Sequence, residues 1–362
     1  MKKIIALLSV VLFSFGVAKA GELTVTGKAK ASYAITSSDG TAAASNATPQ
    51  LGVENEFTLG ASGELDNGMS WSYAVDIDSV ESGATNDDAK LTLTTSYGTV
   101  GVFLGEGAMG VDNAASQSVQ SRPSDTSYKE LMTDTFDIES FDNVQYHTPS
   151  GLLPYGIMAK IGYSPDAAGT TGEDYQATGA VNDRVATPDT ASAGGVTLDG
   201  GGDSVTHYRL SANELPFLDG LTVGLDYVEF GGVIGATEQA PESGAYYATY
   251  TMGPAVIGYS KSFAALAVSS ITTEQVEEVE NRKYSVGINV NDNLSVSYEN
   301  ETSSPSTQEN QTTQYDIEST GIQAAYTMGG MTLSVAMNDH ENAAYTENKN
   351  IKDTVFSVEM AF

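Results

Sequence analysis

The sequence contains no cysteine, so it cannot be a disulfide scaffold and cannot hold a metal or an iron–sulfur cluster through thiolates. Tryptophan occurs once, and histidine only as His147, His207 and His340. Basic residues are scarce: 16 Lys plus Arg stand against 47 Asp plus Glu, for a formal net charge of −31. A surface of that sign repels a phosphate backbone, which removes nucleic acid as a default partner. Long apolar runs are missing as well. The longest, Ile4 to Val17, falls short of the ~20 residues a helix needs to cross a bilayer. There is no Gly-x-Ser-x-Gly elbow, no phosphate loop and no His-Glu-x-x-His pair. A barrel hydrolase would need Ser, His and an orienting polar group to converge in space. The chain is therefore read as a non-enzyme.

What is present begins with an address. Lys2 and Lys3 precede the apolar run, and Ala18-Lys19-Ala20 is a small-x-small cleavage site, so residues 1–20 are expected to be a signal peptide. Its removal takes three lysines and no acid, which moves the charge to −34 for residues 21–362. These residues are expected to form one exported unit.

Period-2 alternation dominates that unit. Leu23 to Tyr33, Met69 to Ile77, Leu91 to Tyr97 and Met331 to Met337 each place apolar residues on one face and polar residues on the other. Runs of about 9–11 residues match a tilted membrane-spanning strand. The connections sort by length. Short ones fall at 66–68, 98–99, 149–153, 213–220, 253–254, 291–293 and 329–330, several with Gly or Asn for positive φ. Between them lie longer polar segments at about 37–51, 80–88, 109–141, 164–203, 231–243, 265–281, 301–314 and 339–350. Fifteen connections join sixteen strands. Short turns at one end and long loops at the other describe an all-β, sixteen-stranded antiparallel transmembrane barrel. Trp71, Tyr97, Tyr155, Tyr250 and Tyr326 sit beside short turns, where an interfacial aromatic girdle belongs.

The chain ends Phe356-Ser357-Val358-Glu359-Met360-Ala361-Phe362, apolar at every second position. With the signal peptide, the first strand Leu23 to Tyr33, the sixteen-strand rhythm and a long third loop, this resembles the general diffusion porins of Gram-negative bacteria, most closely the alphaproteobacterial kind. The resemblance implies a homotrimer of water-filled barrels in the outer membrane, with loop 3 (about 109–141) folded into the lumen as a constriction. It implies passive diffusion of small hydrophilic solutes and ions. It also implies that Phe356, Val358, Met360 and Phe362 form an assembly signal for the barrel assembly machinery, and that lipid and lipopolysaccharide surround the wall.

Parity assigns the charges. Lys28, Lys30, Lys90, Lys160, Arg209 and Lys283 all fall on polar faces and are expected to line the lumen as a basic cluster. A lipid-facing Lys or Arg at mid-membrane would cost about 2–4 kcal/mol, which agrees with that assignment. Loop 3 carries Asp112, Asp125, Glu130, Asp134, Asp137 and Glu139 against Arg122 and Lys129, with Phe136, Ile138 and Phe141 as expected anchors. Acids opposed to a basic wall would create a transverse field, and ring charges set ion preference. The eight long segments hold 28 acids and four basic residues, so modest cation selectivity is expected.

No protein cofactor is required by this reading. Asp76 with Asp78, Asp87 with Asp88, and Glu173 with Asp174 are candidate sites for structural calcium or magnesium, although none has EF-hand spacing. Two other readings stand beside the diffusion pore: a nutrient-selective channel on the same barrel, and a secreted acidic calcium-binding adhesin or surface protein. The adhesin has no need of loops sorted by length or of a terminal Phe.

Overall fold

The computed structural model describes residues 22–40, 49–80, 83–125, 134–165, 204–213, 215, 218–231, 239–265, 276–307, 315–345 and 347–362. The expected signal peptide lies outside these residues. Sixteen strands follow one another in chain order: β1 (Glu22–Gly40), β2 (Gln50–Glu64), β3 (Ser70–Val80), β4 (Gly83–Thr95), β5 (Gly98–Leu104), β6 (Asn143–His147), β7 (Met158–Ser164) and β8 (Ser204–Ala212). The second half is β9 (Leu221–Gly231), β10 (Glu242–Met252), β11 (Ala255–Ala265), β12 (Val276–Asn289), β13 (Leu294–Thr307), β14 (Ile317–Met328), β15 (Met331–Glu341) and β16 (Lys349–Ala361). Each pairs antiparallel with its sequence neighbours, and β16 closes the sheet on β1. Closure removes every sheet edge, as a lipid-embedded sheet requires.

The alternation has the expected sense. Leu23, Val25, Tyr33, Leu91, Leu225, Tyr298 and Ile322 are exposed on the outer face. Ser260, Lys283, Glu299, Gln323 and Ser357 point the other way and are buried. Polar residues inside and apolar residues outside invert the pattern of a water-soluble fold, because lipid covers the outer face. The short turns use local chemistry: the Asn291 side-chain oxygen accepts from the backbone N–H groups of Asn293 (2.9 Å) and Leu294 (3.0 Å). Trp71, Tyr97, Tyr155, Tyr250 and Tyr326 do lie at this end of the barrel, and Tyr97 and Tyr155 are largely exposed.

The long-loop end differs from the sequence reading. Residues 80–88 were expected to be a long loop, but β3 reaches Val80 and β4 starts at Gly83, so Asp87 and Asp88 belong to a strand. Likewise Glu301 falls in β13 and Glu278 in β12, inside segments expected to be loops. The strands outrun the membrane: several have 13 to 19 residues. Beyond the apolar belt both faces are polar, so hydrophobic alternation fades while backbone pairing continues.

Phe362 follows the last strand. Its N–H donates to the Gly27 carbonyl (3.0 Å), its carbonyl accepts from the Gly27 N–H (2.9 Å), and its ring lies 5.5 Å from that of Phe57. Phe356, Met360 and Phe362 are exposed on the outer face.

Candidate functional site: the charged inner wall

The connection between β5 and β6, residues 105–142, carries most of the chemistry. It is described at 105–125 and 134–142, so Lys129 and Glu130 lie outside the described residues. Its root is tied to the neighbouring strands. Lys90 Nζ meets Glu106 at 2.5 Å, and Gln145 Nε2 donates to the Gly107 carbonyl (2.5 Å). Asn143 Nδ2 donates to the carbonyls of Glu106, Ile138 and Phe141.

From there the segment is hydrogen-bonded to inward-facing side chains of successive strands. On β8, Arg209 donates to the Met109 carbonyl (3.3 Å). On β9, Asp226 accepts from the Val111 N–H (3.0 Å). Ser260 of β11 donates to the Asp112 carbonyl (2.7 Å), and Ser285 of β12 to the Ala115 carbonyl (2.5 Å). Glu299 of β13 accepts from the hydroxyls of Ser116 (2.5 Å) and Ser118 (2.7 Å). Gln323 of β14 accepts from the Gln120 N–H (2.9 Å). The approach is close: a Cβ on Gly258 would lie 1.9 Å from the Ala115 carbonyl oxygen, so only glycine fits there.

The expected apolar anchors are all buried. Phe136 and Phe141 pack edge-on against Phe230 at ring-centroid distances of 5.2 and 5.9 Å, and Ile138 is fully enclosed. Asp137 closes the segment on itself. Its carboxylate accepts from the N–H groups of Met109 (3.0 Å) and Gly110 (2.6 Å) and lies 3.3 Å from His207. Burial would raise that carboxyl, but these partners outweigh it and lower it. His207 also meets Asp226 at 3.3 Å, so one histidine joins a segment acid to a wall acid.

Next to this clip sits a buried ion cluster. Lys283, 3% exposed, lies 3.1 Å from Asp134, 3.7 Å from Asp112 and 4.0 Å from Glu301. Arg122 reaches Asp134 at 2.8 Å and Glu301 at 3.6 Å. Glu301 accepts from the Ser124 N–H at 2.7 Å. For Asp134, burial is outweighed by Arg122 and Lys283, which hold it well below the usual carboxylate range. For Arg122, burial is outweighed by Asp134 and Glu301, so it stays charged. Asp112 is left over: burial pushes it up to about 6, although Lys283 opposes this. Glu139 is exposed, as is Asp125. Partial burial and then Asp137, Asp88, Asp112 and Glu106 push Glu139 up to about 7.

The six basic wall residues all face inward, but they do different things. Lys28 pairs with Glu56 on the adjacent strand at 2.5 Å, both half-exposed. Lys30 is a half-buried neighbour on the same face. Lys90 meets the root of the segment. Lys283 sits inside the ion cluster. Lys160 and Arg209 face each other across β7 and β8. Asp112 and Asp134 are enclosed in ion pairs with Lys283 and Arg122, and Asp137 is a backbone clamp, so these three acids are not opposed to Lys28 and Lys30 across open space. Charge buried in a low-dielectric wall finds a partner or is neutralised, and parity alone gives no sign of that.

The sequence reading did not single out Asp226, Glu299, Glu301 or the wall serines. One signal existed. Ile161-Gly162-Tyr163-Ser164 and Ile257-Gly258-Tyr259-Ser260 repeat the same four residues. In both, the glycine admits the segment and the serine donates to a segment carbonyl, Asp142 (2.8 Å) or Asp112 (2.7 Å).

Of the candidate metal positions, Asp76 sits at a β-bulge and Asp88 on β4. The side chains of Asp78 and Asp87, and residues Glu173 and Asp174, lie outside the described part. Among the described residues no group of three or more His, Asp or Glu is placed to hold a metal ion. A third histidine, His340, bridges Ser319 Oγ (2.9 Å) and Asp353 (3.1 Å), with all three residues buried.

Comparison with known proteins agrees with this architecture. An anion-selective porin from Comamonas acidovorans superposes with a TM-score of 0.62 at 13% identity, over 94% of this chain and all of that one. The trimer form of OmpT, an outer membrane protein of Vibrio cholerae, gives 0.61 at 12%, over 95% and 100%. Salmonella typhi OmpF, in complex with daunomycin, gives 0.60 at 12%, over 94% and 98%. No curated protein sequence matches. A sequence-family model described as Gram-negative porin matches residues 6–358, and with it the closed, lipid-faced barrel has its place: the chain belongs to the Gram-negative porins of the outer membrane.

Proposed function

We propose that the pore passes small hydrophilic solutes and ions by passive diffusion, with residues 105–142 as its constriction and a modest preference for cations. The observation that carries this reading is the continuous hydrogen bonding of the segment to inward side chains from β8 to β14. That attachment leaves the β1–β3 side of the lumen, with Lys28 and Lys30, as the open wall of the passage. The cation preference rests on the excess of acids in the long loops, since a negative mouth concentrates cations. Salt should weaken it.

A channel rather than a catalyst fits the histidines best. Ser319, His340 and Asp353 are joined by hydrogen bonds, but Ser319 and His340 are completely buried, so this serine does not open to the lumen. In this reading the protein works as a homotrimer, as in the trimer form of OmpT. Phe356, Val358, Met360 and Phe362 address it to the barrel assembly machinery, and lipopolysaccharide lies against the outer wall. Calcium or magnesium would then be held by loop acids at the mouth.

Single-channel recording of the purified protein in a planar bilayer tests the reading. An ohmic, water-filled conductance and a reversal potential of cation sign in a salt gradient are expected. Deleting residues 110–137 should raise the conductance. A protein that inserts without conducting would overturn the pore, and a deletion without effect would overturn the constriction.

A further inference from the structure

Three nitrogen-bearing side chains stand in a row on the inner wall, and among the described residues none of them has a carboxylate oxygen within 4.0 Å. His147 ends β6, Lys160 lies opposite it on β7, and Arg209 lies opposite Lys160 on β8. All three face inward and are half-buried. Directly opposed residues on antiparallel strands hold their Cβ atoms about 4.5–5.5 Å apart, and like charges so placed repel. Elsewhere on this wall the cations are answered: Lys28 by Glu56, Lys90 by Glu106, Lys283 by Asp134. Among the described residues neither Lys160 nor Arg209 has an acidic oxygen within 4.0 Å. Arg209 donates one hydrogen bond to the neutral carbonyl of Met109, and its Nε has no partner. His147 is held by the Gln145 side chain at 2.7 Å and stacks on Phe103, so its ring is fixed in place.

In a chain with three times as many acids as bases, an unanswered cationic pair is not a by-product of composition. It also has a definite place. β6 and β8 both run into short turns just past these residues, and the Met109 carbonyl of the constriction segment touches Arg209. The row therefore lies at the short-turn end of the lumen, next to the narrowing. The acid-rich loops are at the other end.

We propose that Lys160 and Arg209, beside the fixed ring of His147, form a binding site for a small doubly charged oxyanion, of the phosphate or dicarboxylate class. The guanidinium offers a planar fork to two oxygens, and the ammonium opposite it adds a compact charge. The site deepens the pore reading and rests on it. It makes the passage bipolar: cations are concentrated at the acidic loop end, and oxyanions are retained at the short-turn end.

The test is single-channel recording in potassium chloride, with inorganic phosphate or succinate added at constant ionic strength. The conductance in chloride alone judges the pore reading first. A saturable reduction of that conductance by either anion is expected, and which anion acts identifies the class. Lys160→Gln should weaken the apparent affinity about tenfold, the loss of one charge-assisted contact. Arg209→Lys should retain part of it, and Lys28→Gln should leave it unchanged. Among the described residues Lys160 makes no ion pair, so its variant is expected to fold, as anomalous gel migration before boiling would show. No saturable effect of either anion, or an equal effect in Lys160→Gln, would overturn the site.

Discussion

Lys283 and Lys28 are the same residue type, both on barrel strands and both facing inward, yet they live in different media. Lys283 is 3% exposed and closed in by Asp112, Asp134 and Glu301, whereas the Lys28 side chain is 47% exposed and shares a wet surface with Glu56. The wall from β8 to β14 is covered by residues 105–142, and the wall from β1 to β3 is open. On the covered side a charge acts as structure, because an unpaired ion in that setting is expensive. On the open side the same charge belongs to the field of the passage.

Replacing Lys283 should have the largest effect. Lys283→Met leaves Asp134 and Glu301 short of a cation, and breaking a buried pair typically costs about 3–5 kcal/mol. Thermal unfolding followed by gel migration should shift to lower temperature, with Lys283→Arg intermediate. An unchanged transition would mean that the two walls do not differ as described.

A pH titration sharpens the comparison at an intermediate size of effect. Glu139, raised from its ordinary 4.5 to about 7, is charged at pH 8 and neutral at pH 5.5, while Asp112 takes a proton near 6. Cation preference in the reversal potential should therefore drop as pH falls through 7. Stability moves the other way. Both carboxyls bind protons more readily folded than unfolded, so stability falls as pH rises from about 4 to 7. Glu139→Gln should remove the upper step of the selectivity titration, and persistence of that step would assign it to another group.

The smallest effect belongs to the open wall. Lys28→Gln with Lys30→Gln should raise cation preference in the reversal potential. Stability should change little, since an exposed pair contributes about 0–1 kcal/mol. A large loss of stability would show that this wall too is structural.

Strand number, orientation of the faces and the closing strand were legible because lipid imposes alternation on every membrane-spanning residue. Lys160, Arg209 and Lys283 could be placed inward on that ground alone. Strand ends at the loop side were not legible. In the sequence around 80–88 and around Glu301 polar residues are not confined to alternate positions, and the pattern that marks a strand disappears. The partners inside the wall were hidden for a different reason. Asp134 and Asp137 have the composition of pore-lining acids, and only the path of the segment across β8 to β13 turns one into an ion-pair member and the other into a backbone clamp. Glu299 and Glu301, two residues apart on one strand face, show the same thing from the wall side: one accepts hydroxyls, the other faces cations.

The contact at Gly258 has a consequence for how such a pore can change. There the segment lies main chain against main chain, and much of its remaining attachment runs through carbonyls and amide groups that every residue carries. If this segment is the constriction proposed above, the width of the passage is set by peptide geometry, and its charge by exposed side chains of the segment such as Glu139. Aperture and selectivity become independent variables, so a lineage, or a designer, can re-tune which solutes are favoured at those side chains while the gauge of the sieve stays constant.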